Sequence, residues 1–273
     1  YTSDDEQIAT IVDGQIVAAD SGTTKVRGTY KTSGFVIDVS VTKPLLSVSA
    51  VNKTVEVGRL SDIVFDRQLA GELTSATIGN YPVGSTIKDG KLALDRNKLE
   101  EMPVSEYGEN VTLLCETTQA MYRAEIDLYT LVVKSKQDYM SMGALSKAAC
   151  KNDSRLFGGY FVLGDNITVN GGMSEFVDRT VTDFNGDGSQ GFCGVIDGKG
   201  YVISGLTKKT NNGNAFISVM HRDGVLKNIG FVNASFEANE GSFLVHTGAG
   251  TVQNVYVQYN KISGASPDGY SGT

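Results

Sequence analysis

The most suggestive spacing in this 273-residue chain is Asp183-Phe-Asn-Gly-Asp-Gly, where Asp183, Asn185 and Asp187 alternate as the first ligands of an EF-hand-type calcium loop do. Oxygens at alternate positions converge on one hard cation because the glycine permits a sharp turn. Such a loop needs a bidentate glutamate at its twelfth position, but Gly194 stands there, and no helix pattern flanks the segment. The residues therefore favour a polar loop without metal. No cofactor is required, and calcium through Asp183, Asn185 and Asp187 is the one ion the spacing admits.

Other chemistry-bearing residues are scattered. His221 and His246 are one residue short of a 26-residue repeat apart, so adjacent turns of a repeating structure would bring them near each other. Stacked imidazoles can bind a metal or pass protons, yet His221 sits in a turn beside Arg222-Asp223, and His246 follows a buried-looking Phe243-Leu-Val strand. Cys115, Cys150 and Cys193 are odd in number and fit no zinc spacing. They read as small buried hydrophobes, with a Cys150-Cys193 bridge as the alternative. Asp178, Arg179, Asp197, Lys199, Arg222, Asp223 and Glu237 could supply acid–base groups for glycan cleavage if gathered on one face, but they fall where turns place charges anyway. No residue is assigned as catalytic. Tyr201, Tyr256 and Tyr259 are the candidates for stacking on a ligand such as a sugar, beside the simpler role of packing between turns.

These residues lie on a repeat. From Asp197 onward, Asp197-Gly198, Asp223-Gly224 and Ala249-Gly250 open segments 26 residues apart with apolar residues in shared columns. Leu226 matches Val252, Ile229 matches Val255, Phe231 matches Val257, Phe236 matches Ile262, and Asn228 matches Asn254. A short fixed period means that each copy cannot bury its apolar face alone and must stack on its neighbours. The repeat is rich in Val, Ile, Phe and Tyr and punctuated by glycine, so it predicts short strands joined by tight turns, a β-solenoid. Its expected ladders are Ile203-Ile229-Val255 inside and Asn228-Asn254 at a corner, amide bonded to amide. Residues 134–151 place Tyr139, Met140, Met142, Leu145 and Ala149 at helical spacing. That helix would cover the first coil and blunt an open sheet edge.

The rest of the chain also reads as strands. Residues 1–43 hold four, punctuated by Asp13-Gly14 and Ser21-Gly22. Pro44 marks a boundary, and segments 46–51, 54–57, 62–65, 76–78, 91–94, 110–116 and 122–133 suggest an antiparallel sandwich, with 96–102 as a helical turn.

Two resemblances follow. Thr2-Ser-Asp-Asp, Ile8-Ala-Thr-Ile-Val-Asp-Gly-Gln-Ile-Val-Ala, Ser21-Gly-Thr-Thr-Lys-Val and Phe35-Val-Ile-Asp-Val-Ser-Val are similar to the second half of a bacterial Ig-like group 2 domain, whose leading strands have no counterpart here. Asp197-Gly-Lys-Gly-Tyr-Val-Ile-Ser-Gly-Leu and Leu226-Lys-Asn-Ile-Gly-Phe-Val resemble the GLUG-type and pectate-lyase-like β-helices of bacterial surface proteins. That second resemblance covers about residues 136–273 and implies a right-handed parallel β-helix on an exported protein, without implying an activity.

Composition agrees with an exposed location: 32 glycines, four prolines, no tryptophan and a net charge of -7. Such an acidic balance disfavours nucleic acid and anionic membrane surfaces as partners. No apolar run approaches the ~20 residues of a membrane span, so no membrane insertion is expected. If the protein is exported its leader has been removed, and Tyr1 in place of methionine agrees with a processed or cloned fragment of a longer chain.

The expected architecture is all-β: a partial bacterial Ig-like domain (1–43), an Ig-like β-sandwich (44–133), then a short N-terminal capping helix and a right-handed parallel β-helix (134–273). The expected function is non-catalytic, a bacterial cell-surface or secreted segment for adhesion whose β-helix meets a glycan or a surface protein. The alternatives are a polysaccharide lyase or glycoside hydrolase of β-helix fold, and a purely structural surface spacer.

Overall fold

The computed structural model of the chain describes residues 1–148, 156–172, 189–210, 215–238 and 242–263. Strands hold 59% of it and helices 10%, so the expected all-β class holds. The chain divides into two compact units: Tyr1–Lys53, Asp62–Asp95 and Thr112–Ile126 form the first, and Thr54–Ser61, Arg96–Val111 and Asp127–Thr273 the second.

In the first unit, Thr2–Ser3, Gly22–Tyr30 and Ser33–Val41 make a three-stranded antiparallel sheet, and Ala9–Val12 pairs with Gln15–Ala18 in a hairpin. The hairpin turn is Asp13-Gly14, with φ of 49° and 74°, the left-handed pair that a two-residue turn requires. The four longer strands are the ones expected from residues 1–43, and the two-residue strand Thr2–Ser3 is an addition to them. The remainder of the unit is built on Leu73–Ile78, which pairs antiparallel with both Tyr81–Lys88 and Gly108–Thr117. Tyr81–Lys88 is a strand that sequence reasoning missed. Pro82 and Gly84 break its pattern, and the sheet accommodates them with register shifts between Pro82 and Gly84 and between Gly84 and Thr86, where a proline's missing N–H does least harm.

The second unit is dominated by parallel pairing. Leu131–Val133, Tyr160–Leu163, Val195–Asp197, Val225–Ala238 and Thr251–Ser263 stand side by side in one parallel sheet. The later part of Val225–Ala238 also pairs with Val202–Thr210, which pairs in turn with Ile167–Gly172. Leu156–Phe157, Gly191–Phe192, Ile217–Met220 and Val245–Gly248 form a second parallel sheet. Side chains of both sheets meet in one core that includes Phe161, Phe192, Ile196, Phe216, Leu226 and Phe231. Parallel strands need long crossovers between them, and here each crossover carries a strand of the other sheet.

The helix expected before the repeats spans Lys136–Ala148 and turns Tyr139 and Met142 into this core. Tyr139 stacks on Phe216 at 6.4 Å between ring centroids. The helix start is fixed by side chains: the Asp138 amide donates to Ser135 Oγ at 3.1 Å, while Asp138 Oδ2 accepts from the Lys134 amide at 2.8 Å. These bonds satisfy donors that a helix N-terminus leaves open. The second Asp138 oxygen accepts from the Arg59 guanidinium, and Glu56 accepts from the Val132 amide at 2.8 Å. The helix is thereby tied to the turn at 54–61 as well as to the core. No described helix is long and apolar enough to cross a membrane.

The observed register corrects the expected ladders. Val225 lies opposite Thr251 and Phe236 opposite Ile262, the 26-residue spacing read from the sequence. One strand pair earlier the spacing is wider: Val195 lies opposite Val225, and Ile203 opposite Phe231 rather than Ile229. The ladders are therefore Ile196-Leu226-Val252 and Ile203-Phe231-Val257, with Ile229-Val255 as a separate pair. The cause is local. The turn around Lys199-Gly200, with φ of 52° and 87°, and the turn at His221-Arg222-Asp223 each lengthen the connection between these paired strands without disturbing the strands on either side. The column is set by Gly194, Gly224 and Gly250, since the Val225 amide donates to the Gly194 carbonyl and the Thr251 amide to the Gly224 carbonyl. A Cβ on Gly250 would stand 2.5 Å from the Gly224 carbonyl oxygen, which is why glycine recurs there.

Candidate functional site

Asp197 ends a three-residue strand and is 2% exposed, so its carboxylate must find partners within the protein. It finds four. Oδ1 accepts from the Lys199 amide at 2.9 Å and from Asn228 Nδ2 at 3.1 Å, and Oδ2 lies 3.4 Å from both Lys199 Nζ and Lys227 Nζ. Lys227 is brought there by register, because Asp197 pairs with Lys227 across the sheet. Lys199 is brought there by the left-handed turn that doubles the chain back beside Asp197. Lys199 Nζ also meets Glu109 Oε1 at 2.7 Å, and Tyr129 OH donates to the same Glu109 oxygen at 3.4 Å. Tyr129 in turn lies against Tyr160, ring centroids 5.5 Å apart, over Val132 and Val162.

The electrostatics follow from this enclosure. Burial alone would raise the Asp197 carboxyl, but the Lys199 amide, the Asn228 amide and the two ammonium groups outweigh it and hold the group below the usual carboxylate value. Burial works against the charge of Lys199, and its bond to Glu109 with the attraction of Asp197 overcomes that and raises its value. Tyr129 is raised, first by burial and then by the carboxylates of Glu109 and Asp127. The cluster therefore holds an ionised acid, an ionised base and a neutral phenol over the neutral pH range. A proton acceptor for uronate chemistry works best with its pKa near the working pH, and Asp197 and Lys199 are both displaced away from that range.

From Asp197 a polar column runs across the parallel strands. Asn228 donates to Asp197, and Asn254 Nδ2 donates to Asn228 Oδ1 at 3.1 Å. Both asparagines sit in the left-handed region, with φ of 53° and 54°, where asparagine is tolerated better than most residues. The Asn228-Asn254 rung is the corner contact expected from the sequence. Its extension to Asp197 was not legible, because the wider spacing of the preceding strand pair shifts Asp197 out of the 26-residue frame.

The three expected ligand-binding tyrosines occupy different settings. Gly230 lies opposite Tyr256, and its amide donates to the Tyr201 carbonyl, so Tyr201 and Tyr256 flank one glycine. Tyr256 is 54% exposed, yet a Cβ on Gly230 would stand 2.3 Å from its ring, so one face of the ring rests on bare backbone. Tyr259 instead meets Phe243 edge-on at 5.5 Å, packing against the core as much as facing outward.

The remaining expectations separate. His246 lies opposite Ser218, given Val245 opposite Ile217 and Thr247 opposite Val219, so the histidines are not stacked. His221 Nδ1 accepts from the Asp223 amide at 3.1 Å within its own turn. Of the seven charged residues considered for cleavage, Asp197 and Lys199 meet, while Glu237 pairs with Lys261 at 3.8 Å and Asp223 sits beside His221. Asp178, Arg179, Cys150 and the calcium-loop residues Asp183, Asn185 and Asp187 lie outside the described residues. Cys115 is buried, and burial pushes its thiol up to about 12. Cys193 Sγ lies 3.1 Å from the Phe157 carbonyl oxygen. Sequence reasoning missed Glu109, Lys227 and Tyr129. Glu109 carries no local signal, since it is 90 residues from Lys199 in the chain.

No family model, curated protein or solved structure matches the chain.

Proposed function

We propose that this chain is a non-catalytic binding segment of a bacterial surface or secreted protein, in which a right-handed parallel β-helix carried on Ig-like modules meets a glycan. The observation that carries the reading is the seating of Tyr256 on Gly230. A ring held against backbone has little rotamer freedom left to lose, so its open face offers apolar contact area at low entropic cost. Gln258, exposed and two residues on along the strand, adds an amide that can bond to sugar hydroxyls. The Asp197 cluster supports a binding role over a cleaving one, because its four donors already occupy the carboxylate.

The test is retention of the purified chain on a panel of neutral and acidic polysaccharides, with reducing ends assayed in parallel. Retention without release of reducing ends is expected. Tyr256→Ala should weaken retention about tenfold, equivalent to about 1.4 kcal/mol, whereas Tyr256→Phe keeps the ring and most of the affinity. Release of reducing ends would favour the cleaving enzyme, and no retention on any polysaccharide would leave the chain as a protein-binding segment or a spacer.

A further inference from the structure

The Thr251–Ser263 strand pairs with Val225–Ala238 along one edge and with no other described strand along its second. Residues in the same columns show what that edge lacks. Leu226, covered by Val252, is 0% exposed, while Val252 is 46% exposed and Ile262 63%. This 13-residue strand carries one charged residue, Lys261, a register shift around Tyr259 and no proline, so little of the usual protection of a sheet edge is present.

We propose that this edge is the interface of a homodimer, in which a second copy adds its own Thr251–Ser263 strand antiparallel about a two-fold axis at Val257. A two-fold axis makes one patch face itself, so identical strands must run antiparallel across it, and the strand must complement its own reverse. It does. With Val257 on the axis, Val252 faces Ile262, Val255 faces Tyr259 and Asn254 faces Asn260. Lys261 faces Gln253, so no like charges oppose each other. The two departures from regular strand also fall opposite each other: the left-handed Asn254 at one end and the register shift around Tyr259 and Lys261 at the other. A second strand would cover Val252 and Ile262, two apolar side chains that the edge leaves open.

Light scattering on the eluting chain tests this. The expected mass is twice 29.1 kDa, falling towards the monomer on dilution. Val252→Lys/Ile262→Lys sets lysines against each other at both ends of the interface and should weaken association at least tenfold, as should Val252→Glu/Ile262→Glu. An equimolar mixture of the two variants should recover the dimer, because each lysine then faces a glutamate. Both positions are exposed in a single copy, so circular dichroism should keep the unsubstituted signal, and the melting temperature should match that of the unsubstituted chain diluted to the monomer. A monomer up to about 100 µM, an open-ended series of oligomers, or a lysine variant that stays dimeric would overturn the proposal.

Discussion

Phe231→Ala is expected to destabilise the second unit by about 3–5 kcal/mol, the largest loss from any single core truncation proposed for this chain. Phe231 is fully buried and holds the centre of an aromatic chain, 4.9 Å from Phe216 and 5.6 Å from Phe243 by ring centroids, edge to face with both. It is also the middle rung between Ile203 and Val257, so its removal empties the core beneath three adjacent parallel strands. Neighbouring rungs are fixed by backbone ladders on both sides and cannot collapse into the space, which places the cost toward the upper end of the range. The chain has no tryptophan, so urea unfolding is best followed by circular dichroism. A lower midpoint with an unchanged slope is expected. Phe231→Leu, which refills most of the volume, should cost a fraction as much.

Asp197→Ala is expected to cost about 2–3 kcal/mol, through a different mechanism. Its carboxylate is 4% exposed and is the common acceptor for the Lys199 amide, the Asn228 amide and two ammonium groups. Truncation leaves those donors facing each other, although Lys199 and Lys227, each about 30% exposed, recover part of the loss by turning to water. The pH dependence gives a sharper signature. The folded pKa is depressed below the ordinary carboxylate value, so the stabilising contribution is present above that ordinary value and is lost as pH falls through the folded value. The difference in stability between the unsubstituted chain and Asp197→Asn should therefore be constant near neutrality and shrink on acidification below about pH 4. A difference that stayed constant to pH 2 would mean that the carboxylate's charge contributes nothing to the column.

How much of this was legible in the residues depends on how local each interaction is. The Asp13-Gly14 hairpin, the helix before the repeats and the Asn228-Asn254 rung each have their determinants within a turn or one repeat, and each is present. The register of the preceding strand pair was not legible. Asp-Gly at 197 and 223 invites alignment, but the physical constraint is close backbone approach at Gly194, Gly224 and Gly250, and extra residues in two turns separate the two frames. The meeting of Glu109 with Lys199 was beyond reach because it joins a strand and a turn 90 residues apart in the chain. Tyr259 shows the limit of residue type as a guide: a tyrosine near an exposed edge packs edge-on against Phe243 rather than presenting a free face.

The ladders, the polar column and the seating of Tyr256 all depend on one claim, that the strands of the second unit stack in parallel with the observed register. Paired cysteines test it in a chain whose Cys115, Cys150 and Cys193 are replaced by alanine. Val195 and Val225 are directly opposite on adjacent parallel strands about 4.8 Å apart, within the span a disulfide bridges. Val195→Cys/Val225→Cys should oxidise to completion in the folded protein, read as a mobility shift on a non-reducing gel and the loss of two thiols. Val195→Cys/His221→Cys, the pair that a uniform 26-residue period would bring together, should remain reduced under the same conditions. Oxidation of the second pair in preference to the first, or of neither, would contradict the stack.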